Sequence, residues 1–230
     1  MSYPADIALS MLRDGNARFV DGRQKPHYTL SERLGVAREQ RPWAVVVGCS
    51  DSRVPVEVVF DVGPGELFVI RVAGHVMSEA GYASVRYAVE VLGTKLVVVL
   101  GHEDCGAVAA AREGDEPTWL APITDHIRIS ASATLAEAVD EHVLESVNEL
   151  NAWFAASDFA GEAPVVVGAA YSWRAARCTG SRRNAAPPLP GGAALLAGRW
   201  CPGYVRSLIS ASGAFFLTDS MPLAHAAALS

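Results

Sequence analysis

The chain has 230 residues, half of them hydrophobic and 19% charged, which is the balance of one folded core and excludes a disordered chain. Its net charge of −6 argues against a nucleic-acid partner, which would require clustered lysine and arginine. No stretch reaches the roughly 18 uninterrupted apolar residues of a membrane span, and the amino terminus, MSYPADIALSMLRDG, has no basic region ahead of an apolar one. The expectation is a cytoplasmic protein with no membrane partner.

In chain order, residues 5–20 place Ile7, Leu9, Met11, Leu12 and Phe19 at mainly helical spacing and predict an N-terminal helical arm, weakened in its middle by Gly15-Asn16. Four apolar runs follow, at 43–47, 67–73, 96–100 and 165–170, all without polar alternation. Strands buried on both faces of a parallel sheet read this way. Helices are predicted between them at 82–92, 107–112 and about 135–153, the last from Leu135, Val139, Val143, Val147 and Leu150 at spacings of three and four. The class is therefore α/β, with a mostly parallel central sheet of about four strands and helices on both faces. Gly63-Pro64-Gly65 reads as a turn, since no G-x-G-x-x-G or G-x-x-x-x-G-K-[ST] pattern surrounds it.

Ligands of such sheets bind just past the carboxyl ends of the strands. Two strand ends carry chemistry there: GCSDSRVP at 48–55 and LGHEDCGA at 100–107. Zinc accepts thiolate sulfur and imidazole nitrogen, and a catalytic zinc keeps three protein ligands and one open position. Cys49, His102 and Cys105 supply that set. Four cysteines in all are too few for a disulfide scaffold. His-x-x-Cys alone is a weak signal, because a cysteine after a strand also serves as a small buried hydrophobe. Asp51 is placed to be a fourth ligand or an acceptor behind one, with Arg53 as its partner. The alternative is that Asp51 caps a helix starting near Ser52 and Arg53 is a solvated charge. A phosphatase loop is discounted, since it needs five residues between Cys and Arg and this chain has three.

These residues resemble the β-class carbonic anhydrases. CSDSRVP at 49–55, GPGELFVIRVAGH at 63–75, YAVEVLG at 87–93 and VVVLGHEDCGAV at 97–108 are similar to that family's motifs in order and spacing, and the likeness covers about residues 10–171. The resemblance implies zinc bound by Cys49, His102 and Cys105, with Asp51 and Arg53 as a dyad in which Asp51 either takes the fourth position or releases it to water. It implies reversible hydration of CO2 to bicarbonate by zinc-bound hydroxide, and a homodimer or dimer of dimers. It further implies that Gln40 donates to bicarbonate and that Phe68 and Tyr87 form an apolar pocket supplied by the partner subunit. On pattern alone, Phe68 and Tyr87 are core residues and Gln40 a polar loop residue. Other functions on the same scaffold are hydrolysis of carbonyl sulfide or carbon disulfide, or a catalytically impaired zinc-binding dimer.

The chain departs from the family at His75, Arg86 and Glu103, where Asn, Glu and Ser or Thr are common. His75 is expected to be a structural, hydrogen-bonding histidine rather than a proton shuttle. Val46 stands where an allosteric bicarbonate site would need Trp. The larger departure begins after Tyr171. Residues 173–230 carry six Arg, no Lys and one acid, a net +5, which leaves −11 on residues 1–172. This divides the chain into a zinc domain, 1–172, and an Arg/Ala/Pro/Gly-rich tail, 173–230, read as loop or poorly ordered with at most a short helix. A lineage-specific extension and a frame-shifted end both account for such a tail.

Overall fold

The computed structural model describes residues 3–159 and 161–173, together with the backbone of 204–208. Its centre is a sheet built from β1 (Ala44–Gly48), β2 (Leu67–Arg71), β3 (Leu96–His102), β4 (Val165–Ser172) and β5 (Tyr204–Leu208), in the order β2-β1-β3-β4-β5. The first four strands are parallel and β5 runs antiparallel to β4. β5 falls in the stretch expected to be loop or tail, and it supplies an edge strand there. The rest of 174–230 lies outside the described residues, as do Cys178 and Cys201.

The helices are α1 (Ala5–Val20), α2 (Leu30–Gly35), α3 (Val56–Val59), α4 (Glu79–Glu90), α5 (Gly106–Glu113), α6 (Ala121–Thr124) and α7 (Leu135–Ala156). The apolar strands are continuous because both faces are covered. Ala44, Val46, Leu96, Val98 and Leu100 pack with Ala8 and Leu12 of α1 and with Val56 and Val59 of α3. Val45, Val47, Val97 and Val99 face the other way, onto Val85 and Ala88 of α4 and Val143, Val147 and Leu150 of α7. Helix α7 starts at a capping box, in which Thr134 Oγ1 accepts from the Glu137 amide and the Glu137 carboxylate accepts from the Thr134 amide. Among the described residues no helix is long and apolar enough to cross a membrane.

The Gly15-Asn16 pair does not interrupt α1. It is where the helix touches the end of α3: Asn16 Nδ2 donates to the Val59 carbonyl at 3.0 Å, and a Cβ on Gly15 would lie 1.8 Å from the Phe60 carbonyl oxygen. Glycine is used here for close approach, so its low helix propensity is offset by tertiary packing. In an open helix Gly→Ala stabilises by about 1 kcal/mol. Here Gly15→Ala is expected to destabilise by about 1–3 kcal/mol, because the methyl forces α1 off α3. Urea unfolding should show a lower midpoint at unchanged slope.

Candidate metal centre

The ladder between β1 and β3 ends at Gly48↔Leu100, so Cys49 emerges beside His102, the last residue of β3. Asp104 then turns the chain through a left-handed conformation (φ 51°), and Cys105 caps α5. This tight turn is what brings a histidine and a cysteine three apart onto one point. The sulfurs of Cys49 and Cys105 are 4.0 Å apart, and these atoms with a His102 ring nitrogen all lie within 4.8 Å of one another. Among the described residues this is the one such group of metal-ligating side chains, and all three residues are buried.

His102 Nδ1 donates to the Glu103 carbonyl at 2.9 Å. A carbonyl only accepts, so Nδ1 carries the proton and Nε2 presents its lone pair. Nε2 is buried with no hydrogen-bond partner, which fits a metal-ligand atom. Burial pushes the imidazole down, but the nearby Cys49 sulfur, the Glu103 carbonyl and the charge of Asp51 prevail and raise it. The Cys49 thiol is pushed down, chiefly by the hydrogen bond from Cys105, which is pushed up in turn.

Cys49 is held from three sides. Its sulfur accepts from the amides of Asp51 (3.4 Å) and Gly74 (3.3 Å), and Arg71, on β2, donates from Nε to the Cys49 carbonyl (2.8 Å) and from Nη2 to the Asp51 carbonyl (2.6 Å). Gly74 has φ 64°, and a Cβ there would meet Ala107 Cβ at 3.0 Å, so glycine is required at this turn. Behind it, His142 of α7 donates from Nε2 to the Gly74 carbonyl at 2.8 Å and stacks on His75 at 4.3 Å. His75 is 1% exposed and neither ring nitrogen has a well-formed hydrogen bond, so its contact here is the stack on His142 and not the hydrogen bonding expected.

Asp51 lies outside the three-atom group. Its carboxylate is paired with Arg53 in a fork, Nε to Oδ1 at 3.0 Å and Nη2 to Oδ2 at 2.7 Å, and Oδ1 also accepts the Arg53 amide at 2.9 Å. Oδ2 stands 3.8 Å from His102 Nε2. The helix that follows starts at Val56 with Pro55 as its cap, so Asp51 forms a turn with Arg53 and does not cap α3. Hydrogen bonding by Arg53 draws the Asp51 carboxyl down to about 2.

Gln40, Phe68 and Tyr87 lie elsewhere. Phe68 pairs with Val45 on the ladder, four residues before Cys49, and its ring is 6.3 Å from that of Tyr87. Gln40 and Tyr87 line an open groove with Trp43 and Val91 at the opposite end of the strands. Within one chain these three residues do not reach the cysteines. Arg71 and His142 are not marked by the sequence: Arg71 ends a strand run and His142 sits mid-helix, and nothing in the local pattern distinguishes them.

A carbonic anhydrase family model matches residues 44–176. A carbonic anhydrase of Mycolicibacterium smegmatis is 44% identical over 152 residues, 62% of this chain and 73% of that protein. Carbonic anhydrase 2 of Mycobacterium tuberculosis is 52% identical over 105 residues, 45% of this chain, which thus spans about half (51%) of that relative's length. Among solved structures, the β-carbonic anhydrase CafA of Aspergillus fumigatus shares the fold, with a TM-score of 0.53 at 24% identity over 73% of this chain and 85% of that one. The Coccomyxa β-carbonic anhydrase, solved in complex with acetazolamide, gives 0.52 at 25% identity over 71% and 82%.

The Asp51–Arg53 pair has a defined pH signature. The folded carboxyl titrates near 2 against an ordinary 3.8, so its contribution to stability is complete above the ordinary value and is lost as pH falls toward 2. In metal-free protein, the stability difference between the unaltered chain and Asp51→Asn should be flat above about pH 5 and shrink below about pH 4, as read by denaturant unfolding.

Proposed function

The chain belongs to the β-class of the carbonic anhydrase family, and on that premise we propose that it catalyses the reversible hydration of carbon dioxide to bicarbonate and a proton, using zinc held by Cys49, His102 and Cys105. The observation that carries this reading is the convergence of two sulfurs and an imidazole nitrogen within 4.8 Å in a buried setting. Two soft sulfurs and an imidazole are a donor set suited to zinc, and three donors leave one position for water. When bound, zinc lowers the pKa of a coordinated water to about 7, a figure for which carbonic anhydrase is itself the reference example.

The chain's own residues do the rest. Arg71 and the amides of Asp51 and Gly74 fix the Cys49 sulfur, and Glu103 fixes the His102 tautomer. Asp51, held by Arg53 beside His102, accepts a hydrogen bond from the attacking water and orients its lone pair toward CO2. Burial of the three donors excludes bulk water from them and strengthens the hydrogen bonds that hold the Cys49 sulfur and the His102 ring.

The position of Gln40, Phe68 and Tyr87 supports a homodimer in which each chain completes its partner's site. They are remote from their own cysteines, and Tyr87 is 47% exposed. In that assembly Gln40 donates to bicarbonate, and Phe68 with Tyr87 forms the apolar wall that CO2 prefers.

Metal analysis with stopped-flow hydration tests the reading. Cys49→Ala and Cys105→Ala should each lose stoichiometric zinc and fall to the uncatalysed rate; full metal and activity in either would reject the assignment. Gln40→Ala should keep its zinc and lose about 10–100-fold in kcat/KM, the cost of one hydrogen bond to a charged ligand. Sedimentation should find a dimer or larger species, and a fully active monomer would refute the shared site.

A further inference from the structure

Arg53 is the more exposed half of the dyad, with 52% of its side chain open to solvent. An ion pair at such a surface is weak and mobile unless something else fixes it. In this chain something does. The Arg53 guanidinium carbon sits 4.1 Å from the ring centre of Trp173, and Nη2 donates to the Asp104 carbonyl at 3.2 Å. The same indole lies 5.7 Å from the ring of His102.

Trp173 is fixed in turn by Glu103. The Trp173 amide donates to Glu103 Oε1 and Ser172 Oγ donates to Oε2, both at 2.7 Å. The Glu103 amide donates to the Tyr171 carbonyl at 2.9 Å, and the Glu103 carbonyl accepts from His102. Glu103 and Trp173 are both positions at which the sequence departs from its family's pattern, and in space they are bonded to each other. The start of the atypical segment is thereby attached to the metal turn.

From this arrangement we propose that Trp173, anchored by Glu103, is a positioning residue that clamps Arg53 against Asp51 and so keeps the carboxylate out of the ligand set. The inference rests on the zinc reading above. A loosened Arg53 would leave Asp51 more often an unpaired carboxylate next to a dication, which it would ligate in place of water, slowing the reaction without displacing the metal. Trp173 touches neither substrate nor metal in this role; it acts through Arg53.

The test has two arms. In metal-free protein, the Arg53 Nε–H resonance should lie upfield under the indole ring current, return to its ordinary position in Trp173→Ala and Glu103→Ala, and stay shifted in Trp173→Phe. In cobalt-substituted protein, Trp173→Ala should alter the visible d–d bands as a carboxylate replaces water, while the sulfur-to-metal charge-transfer bands and metal stoichiometry stay constant. Placing Trp173→Ala in an Asp51→Asn background should produce no further d–d change. Hydration kcat/KM should fall about five- to tenfold in Trp173→Ala, on the scale of one cation–π contact, and recover in Trp173→Phe. Unshifted Arg53, unchanged d–d bands in Trp173→Ala, or a change that persists without Asp51 would each overturn the clamp while leaving the zinc site standing. An unaltered protein that binds no cobalt would refute the metal reading and the clamp together.

Discussion

The parallel pairing of β1 with β3 is the constraint on which the rest of the molecule depends. Its last pair, Gly48↔Leu100, determines that one strand releases a cysteine next to the point where the other releases a histidine. A slip of one residue would turn every side chain to the opposite face and send Cys49 away from His102. The register is secured by burial on both sides: Val46 and Val98 can belong only to the α1 layer, and Val45 and Val97 only to the α4–α7 layer. The site's geometry is thus specified by valines that take no part in its chemistry.

Beyond the strand ends, precision comes from backbone groups in turns. Gly74 and Asp104 take left-handed conformations, and the amides so exposed or redirected are the ones that meet Cys49 or lead to Cys105. The cost of such turns is met by packing from α5 and α7 and by the two bonds from Arg71. Sulfur receives a preformed set of donors, which favours its charged form before any cation arrives.

What was legible in the sequence was whatever burial or ligand chemistry writes locally. Runs such as AVVVG and LVVVLGH declare doubly covered strands, and Cys-x-Asp-x-Arg with His-x-x-Cys declares a ligand set. What could not be read are the properties that arise between distant residues. Gly15 looks like a flaw in α1 until Phe60 is seen against it, and Arg71 looks like the end of a strand until it reaches two carbonyls of another loop. The strand at Tyr204–Leu208 was hidden because Tyr-Val-Arg-Ser-Leu has no pattern of its own; β4 offers it an open edge. Trp173 reads as the first residue of a tail, since a contact to Arg53 across 120 positions leaves no periodic trace.

The stacked pair of His75 and His142 gives the molecule a vulnerability on its inner side. Both imidazoles are buried and held neutral, chiefly by desolvation, so their affinity for protons is lower folded than unfolded. Below the ordinary imidazole range the unfolded chain takes up protons that the native chain refuses, and acidification drains stability from the layer directly behind Gly74. The layer that holds the Gly74 turn is therefore the acid-sensitive side of the fold, while the Asp51–Arg53 pair on the outer side keeps its charge until far lower pH.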